Sequence, residues 1–392
     1  MSDVVTASRS AHPGRRDVLV VTWAGGGNLP PLLAAAGLLT ARRHRVRVLA
    51  SAATGEAAVQ AGFDVIGYQR APDPIMAVAF EQQATEMMAT AAGEEVALDV
   101  RDLLSGLGPD LLIVDCMLPA AIAAGEAAGT PTASLVHFPY GLARTQMQRG
   151  AGAWTTDRAA LNVTRSRLGL RPATDALAAW ESADLLLVTV PNWFDLSTDF
   201  PAQVVHAGPL GVTRTWQPRV LDARPLVLLS FSTTVMQGQT ALIQRVCEAI
   251  ANEGVDAVLT LGPAVRPAEI RTPNNVQAVA YADHDELLPR CAAVITHGGL
   301  GTTLRALAHA RPLLLLPIGR DQRFNAERVV ELGAGIYLPV EASPTEIASA
   351  LADLVGRSEF SEAARRAATA IAADRPDETA TEALVGLRFR VR

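Results

Sequence analysis

The chain has 392 residues, a length that suggests two domains rather than one. A hydrophobic fraction of 49% and a mean hydropathy of +0.20 suit well-buried α/β cores. A net charge of −6 argues against a nucleic-acid surface, and no apolar run approaches the ~18 residues of a membrane span.

Cys116, Cys247 and Cys291 are widely separated beside apolar runs, with neither metal-ligand spacing nor a disulfide framework. Buried free thiols in a reducing cytoplasm are the expectation. All 34 basic residues are arginine, which excludes a P-loop lysine and a Schiff-base lysine. Met1 to Arg16 has no apolar stretch of secretory type and reads as a disordered tail, residues 1–16.

Asp17 to Trp23 reads as a strand, Ala24 to Asn28 as a glycine turn and Pro30 to Arg43 as a helix that Asn28 can cap. Val46 to Ala50 completes a βαβ unit with an expected right-handed crossover. It lacks the third glycine and the acidic strand end of a dinucleotide fingerprint, so NAD and FAD are discounted. A helix from Ala53 to Ala61 leads to a short strand at Phe63 to Ile66. Arg70 to Ala92 carries Ile75, Met76, Phe80, Met87 and Met88, where helical spacing fits core filler. Leu111 to Val114 ends at Asp115, and Ser134 to Val136 ends at His137-Phe138-Pro139-Tyr140. Leu185 to Val190 closes this half, residues 17–207. Val204 to Arg224 has no periodicity and contains Gly208-Pro209, so residues 208–224 read as a linker.

Leu226 to Ser230 restarts a βα alternation that runs over residues 225–374. Further strands are expected at Val258 to Leu261 and Val276 to Tyr281. Asp283-His284-Asp285 has the D-x-D spacing of some metal sites, but it precedes a helical stretch and reads better as an N-cap. Ala292 to Ile295 is a buried strand end. His297-Gly298-Gly299 then breaks the chain, and Leu300 to His309 is helical with Pro312 beyond it. A strand, a glycine turn and a helix N-terminus make an anion site, with hydroxyls from Thr302 and Thr303 in the first turn. Leu313 to Leu316 is another buried strand. Asp321 and Gln322 stand after it as groups able to hold sugar hydroxyls.

The ordered set His297-Gly298-Gly299-x-Gly301-Thr302-Thr303, Ala306-Leu307, Pro312, Pro317 and Asp321-Gln322-x-x-Asn325-Ala326 resembles the donor-binding signature of the GT-B-fold nucleotide-sugar-dependent glycosyltransferases. The resemblance is closest to the family that decorates antibiotic aglycones and other lipophilic natural products. The other reading, an ordinary glycine-rich turn of a doubly wound sheet, leaves the Asp-Gln pair unexplained.

The resemblance implies an α/β chain of the GT-B fold: two Rossmann-like domains facing across a cleft, acceptor-binding at 17–207 and nucleotide-sugar-binding at 225–374. Residues 375–392 would cross back onto the first. It implies an inverting, metal-independent transfer of a hexose or deoxyhexose, in the cytoplasm, with the nucleotide sugar as co-substrate and no further cofactor. His297 and the backbone of Gly299, Leu300, Gly301 and Thr302 would take the diphosphate, with Thr233 a second phosphate contact. Tyr281 and Ala282 would hold the base, although Tyr281 also reads as an ordinary strand-end aromatic. Phe80, Met87, Met88, His137 and Tyr140 would line the acceptor pocket. A homodimer stays open.

Two departures stand out. The resembling enzymes carry their general-base histidine where this chain has Asn28, and an amide takes no proton near neutral pH. Asp115, in the place of the aspartate that supports that histidine, could serve as base directly or cap a helix. Asn28 could orient the acceptor. His137 is the one histidine at a strand end of the acceptor half, and it could equally be a hydrogen-bonded structural residue. Arg305 stands where a glutamate often holds ribose hydroxyls; arginine accepts no hydrogen bond, which mildly favours a dTDP-sugar over a UDP-sugar. Two rivals remain: a GT-B-like binding or auxiliary protein that has lost turnover, and a GT-B epimerase or phosphorylase. The phosphorylase would need a lysine that the chain lacks.

Overall fold

The structure is a computed structural model that describes residues 14–23, 27–72, 80–149, 157–196, 199–212, 224–232, 239–262 and 265–387. Ile75, Met76, Thr233, most of the expected tail and most of the expected linker lie outside the described residues, as does the Phe80 side chain. Two compact units divide the chain: residues 1–211 with 377–392, and residues 212–376.

The first unit holds seven parallel strands: β1 (Asp17–Val21), β2 (Arg45–Ala50), β3 (Asp64–Gly67), β4 (Leu111–Asp115), β5 (Thr132–Val136), β6 (Leu185–Val188) and β7 (Val204–His206). Their order is β3-β2-β1-β4-β5-β6-β7. Successive residues of each strand feed opposite faces. Val18 and Val20 of β1 join Ile113 and Leu135 in one core cluster, while Leu19 and Val21 join Leu112 and Val114 in the other. Burial on both faces explains why these strands read as unbroken apolar runs.

β7 was not legible as a strand. It is three residues long, sits at the sheet edge and is only half-buried, too little for a periodic signal. Leu210, four residues past β7, is buried in this unit's core, so the first part of the expected linker packs with the first unit. So does the last helix, Pro376–Gly386: Ala380 and Leu384 lie in the same cluster, Gly211 N donates to Asp377 Oδ1 at 2.9 Å, and Arg16 Nη1 donates to the Leu387 carbonyl at 2.7 Å.

The second unit repeats the design with β8 (Leu226–Ser230), β9 (Asp256–Thr260), β10 (Val276–Val279), β11 (Cys291–Thr296), β12 (Leu313–Leu315) and β13 (Gly335–Tyr337), all parallel, in the order β10-β9-β8-β11-β12-β13. Helices Leu300–Ala308, Gln322–Glu331 and Pro344–Gly356 follow β11, β12 and β13. The last starts with a capping box between Ser343 and Glu346. All three cysteines are free and buried. Among the described residues no helix is long and apolar enough to cross a membrane.

Candidate functional site

In each sheet the strand order reverses at one place, between β1 and β4 and between β8 and β11. Open parallel sheets hold ligands beyond the strand C-termini at such a reversal. Both sequence-predicted sites stand there.

In the first unit, Asn28 precedes the helix Leu29–Ala41, Asp115 ends β4, and His137 follows β5. Asn28 has helical backbone angles and its side chain caps nothing, contrary to the expected cap. Its Nδ2 donates instead to the Trp23 carbonyl at 3.1 Å and to Asp115 Oδ2. Two acceptors on one side fix the amide's orientation. Asn28 Oδ1 is left buried, with no hydrogen-bond partner among the described residues.

Asp115 Oδ1 accepts the Met117 N–H at 2.9 Å and faces His137 Nε2 at 3.3 Å. A carboxylate on Nε2 selects the tautomer protonated there, so Nδ1 of the neutral ring carries the lone pair. The His137 side chain is 17% exposed and that of Asp115 is 0%. The imidazole is further held edge-on against Phe138, ring centroids 5.1 Å apart. Beneath it, burial and the Asp115 charge push the Cys116 thiol well up. Ligand atoms of Asp115, Cys116 and His137 lie within 4.8 Å of one another, a spacing a cation could use.

In the second unit, His297 follows β11 and Gly299 caps the helix Leu300–Ala308. No side chain caps this helix, so the N–H groups of its first turn stay open to an anion. Two glycines make the turn. Gly298 has φ +84°, and a Cβ on it would stand 3.0 Å from the Gln322 carbonyl oxygen; a Cβ on Gly299 would lie 2.7 Å from His297 Nε2. The imidazole thus rests where only glycine leaves room. The ring also bonds the Ser230 backbone at the end of β8. Burial pulls its pKa from 6.5 to about 4, so His297 is neutral at physiological pH.

The loop after β12 is tied to this turn. Asn325 Nδ2 donates to the Gly298 carbonyl at 2.9 Å and to Asp321 Oδ2 at 2.9 Å. Gln322 Oε1 accepts the N–H groups of Ile318 and Gly319 at 2.8 and 3.0 Å. Tyr281 stands just past β10 with 82% of its surface exposed, a bare aromatic face. Ala282 is beside it, half-buried.

Comparison with known proteins extends this picture. Residues 244–386 match the Erythromycin biosynthesis protein CIII-like, C-terminal domain. The L-demethylnoviosyl transferase of Streptomyces niveus is 27% identical over 355 residues, 86% of this chain and 89% of that protein. The chain is a homologue of the natural-product-decorating GT-B glycosyltransferases. Its fold is that of the calicheamicin glycosyltransferase CalG4, with TM-score 0.77, 23% identity, and 96% of this chain and 99% of that one covered. The glycosyltransferase VinC, solved in complex with dTDP, superposes with TM-score 0.70 and 23% identity over 94% of this chain and 98% of that one.

In this glycosyltransferase homologue several sequence-predicted residues stand elsewhere than expected. Asp115 is wholly buried; it bonds Asn28 and His137, and the cap position of the next helix belongs to Leu118. Tyr140 is 0% exposed, its hydroxyl donating to Glu181 Oε1 at 2.6 Å. Met87 and Met88 pack against the first unit's core, as filler. Gln322 is 3% exposed and spends its carbonyl on the loop it closes. Asp283 caps its helix by accepting from Asp285 N at 2.8 Å, the N-cap reading of the D-x-D.

Three features escaped the sequence. Arg305 is no free surface residue: with His309 it clamps Asp285, whose carboxyl both hold below its usual range. Gln239 closes the loop after β8, its Oε1 accepting Ser232 N at 2.7 Å and its amide donating to the Ser232 carbonyl. Asn325 was quoted only as part of a motif, and its lock on Gly298 needs the fold to appear.

Proposed function

We propose that the chain is an inverting, metal-independent glycosyltransferase moving a hexose or deoxyhexose from a nucleotide diphosphate sugar to an apolar natural-product aglycone. The observation that carries this reading is the open helix terminus at Gly299–Thr302 beside a neutral, buried His297 at the reversal of the second sheet. Open N–H groups and a helix dipole meet a diphosphate as its charge develops. His297 adds a neutral hydrogen bond at no desolvation cost of a second charge. Tyr281 offers its exposed ring to the base.

His137 is the general base in this reading. Its Nδ1 lone pair takes the proton of the acceptor hydroxyl as the oxygen attacks the anomeric carbon. The bond from that carbon to the diphosphate oxygen breaks, and the nucleoside diphosphate leaves with the electron pair. Asp115 orients the ring and stabilises the imidazolium. Asn28, with its unpartnered Oδ1, accepts from the aglycone and orients it.

A thymidine donor is favoured. Arg305 offers no acceptor to a ribose hydroxyl, and both oxygens of its partner Asp285 already accept a hydrogen bond. That VinC was solved with dTDP supports the same choice.

The test is turnover of dTDP-glucose and UDP-glucose over a panel of phenolic and alcoholic aglycones, with the product anomer read by NMR and a chelator arm. A β-linked product made fastest from the thymidine donor and untouched by chelator is expected. A retained anomer or a chelator-dependent rate would overturn the mechanism. Asn28 in place of a histidine favours the second reading, a binding or auxiliary protein. Donor binding without multiple turnover on any aglycone would establish that one.

A further inference from the structure

Four described residues other than glycine have positive φ: Arg43 at +65°, Ala310 at +58°, Arg320 at +59° and Arg375 at +49°. Three have an ordinary cause. Arg43, Ala310 and Arg375 lie two residues past the ends of the helices Leu29–Ala41, Leu300–Ala308 and Ser358–Ala373, where a left-handed residue closes the last turn. Arg320 closes nothing. It stands in the loop between β12 and the helix Gln322–Glu331, a place where glycine would be free of strain.

That loop is the one fastened to the donor turn. The Asn325 amide reaches the Gly298 carbonyl at 2.9 Å, and the Gln322 backbone packs against Gly298. Arg320 sits between those anchors and Gln322's hold on Ile318 and Gly319. Its guanidinium feels the neighbouring Asp321 carboxylate, which favours its charge. Its own field reaches His297, whose protonation it opposes. Protein atoms crowd the guanidinium enough to pull its own pKa down, although the residue as a whole keeps solvent exposure.

A positive charge beside the turn would add to what the helix terminus offers the leaving group. A nucleoside diphosphate departs with a growing negative charge on its β-phosphate. His297 is neutral there, and the helix terminus supplies only about half an elementary charge. The chain has no lysine to make up the difference.

We propose that Arg320 is a donor-binding residue: it brings a guanidinium to the donor's β-phosphate, and its strained backbone is kept for that contact. The proposal rests on the nucleotide-sugar reading given above.

The test is calorimetric titration of the full chain, Arg320→Gln and Arg320→Gly with dTDP, dTMP, UDP and UMP, together with the melting temperature of each protein. Both variants are expected to lose about tenfold or more in affinity for the diphosphate the wild type prefers, and no more than about twofold for the matching monophosphate. Arg320→Gly, relieved of strain, should melt no lower than wild type. Undiminished diphosphate affinity in Arg320→Gln, or equal losses for diphosphate and monophosphate, would overturn the proposal while leaving the nucleotide-sugar reading intact. Failure of the wild type to bind any of the four would overturn both.

Discussion

The two sheets repeat one strand order, yet their reversal points work by different physics. The second unit builds its site from backbone: a glycine turn, an uncapped helix terminus and a histidine kept neutral by burial. The first builds its site from side chains: a buried carboxylate at the end of β4 shared between an amide beyond β1 and an imidazole beyond β5. A nucleoside diphosphate is a constant ligand, and constant ligands suit a backbone cradle that few substitutions disturb. An acceptor varies, and side chains can be exchanged while the sheet stays. The carboxylate opposite Asn28 turns also to a histidine one strand further along.

The sharpest way to break this contrast is at His137. His137→Ala should lower turnover on a poorly acidic alcohol by about 10²–10⁴-fold while leaving donor affinity unchanged. Asp115→Asn should lose a large part of the same factor, since an amide cannot stabilise the imidazolium. On a phenolic acceptor both losses should shrink. Near-normal rates for both variants on an alcohol would sink the dyad.

Gly299→Ala probes the backbone side. The added Cβ would stand 2.7 Å from His297 Nε2, so the imidazole must leave its place against Ser230. A loss of about 1–3 kcal/mol in stability is expected from the overpacking, with donor affinity falling too. If denaturant midpoint and dTDP affinity both stay at wild-type values, the turn is not shaped by that contact.

Acid separates the two sites by the sign of their titration. His297 titrates near 6.5 when unfolded and near 4 when folded, so the unfolded chain takes up its proton first as pH falls. Its contribution to stability is full above about pH 6.5 and drains away between there and pH 4. Between pH 7 and pH 5 wild type should lose about 2 kcal/mol more than His297→Asn in paired denaturant titrations. Parallel losses in the two proteins would show that burial does not hold His297 neutral.

The smallest effect is expected at Tyr281. Removing an exposed ring that stacks on the base should cost about 0.5–1.5 kcal/mol of donor affinity, with the turnover number unchanged. Tyr281→Ala binding dTDP as wild type does would return that ring to an ordinary strand end.

The turn after β11 was largely legible before folding because its information is local. His297, Gly298, Gly299 and the helix behind them are consecutive, and a turn's demand for glycine is written at the residue that makes it. The cluster of the first unit was not, because Asn28, Asp115 and His137 are 87 and 22 residues apart in their contacts. Sequence named all three and left their roles open. Only the parallel pairing of β1 with β4 and β4 with β5 brings them together, turns Asp115 away from solvent and leaves His137 at the surface.

The sequence by itself determined the βα alternation, because strands buried on both faces must be apolar throughout and glycines and prolines must punctuate them. It determined the donor turn for the same local reason. Tertiary structure alone decided that Tyr140 is buried and that Met87 and Met88 pack on the first unit's core, since a side chain's burial depends on what packs over it. It alone set Arg305 and His309 on Asp285, and the 166 residues that separate Gly211 from its partner Asp377 carry no trace in local pattern. Hydrogen bonds and ion pairs act at a few ångströms, and only the folded sheet order says which distant residues come that close.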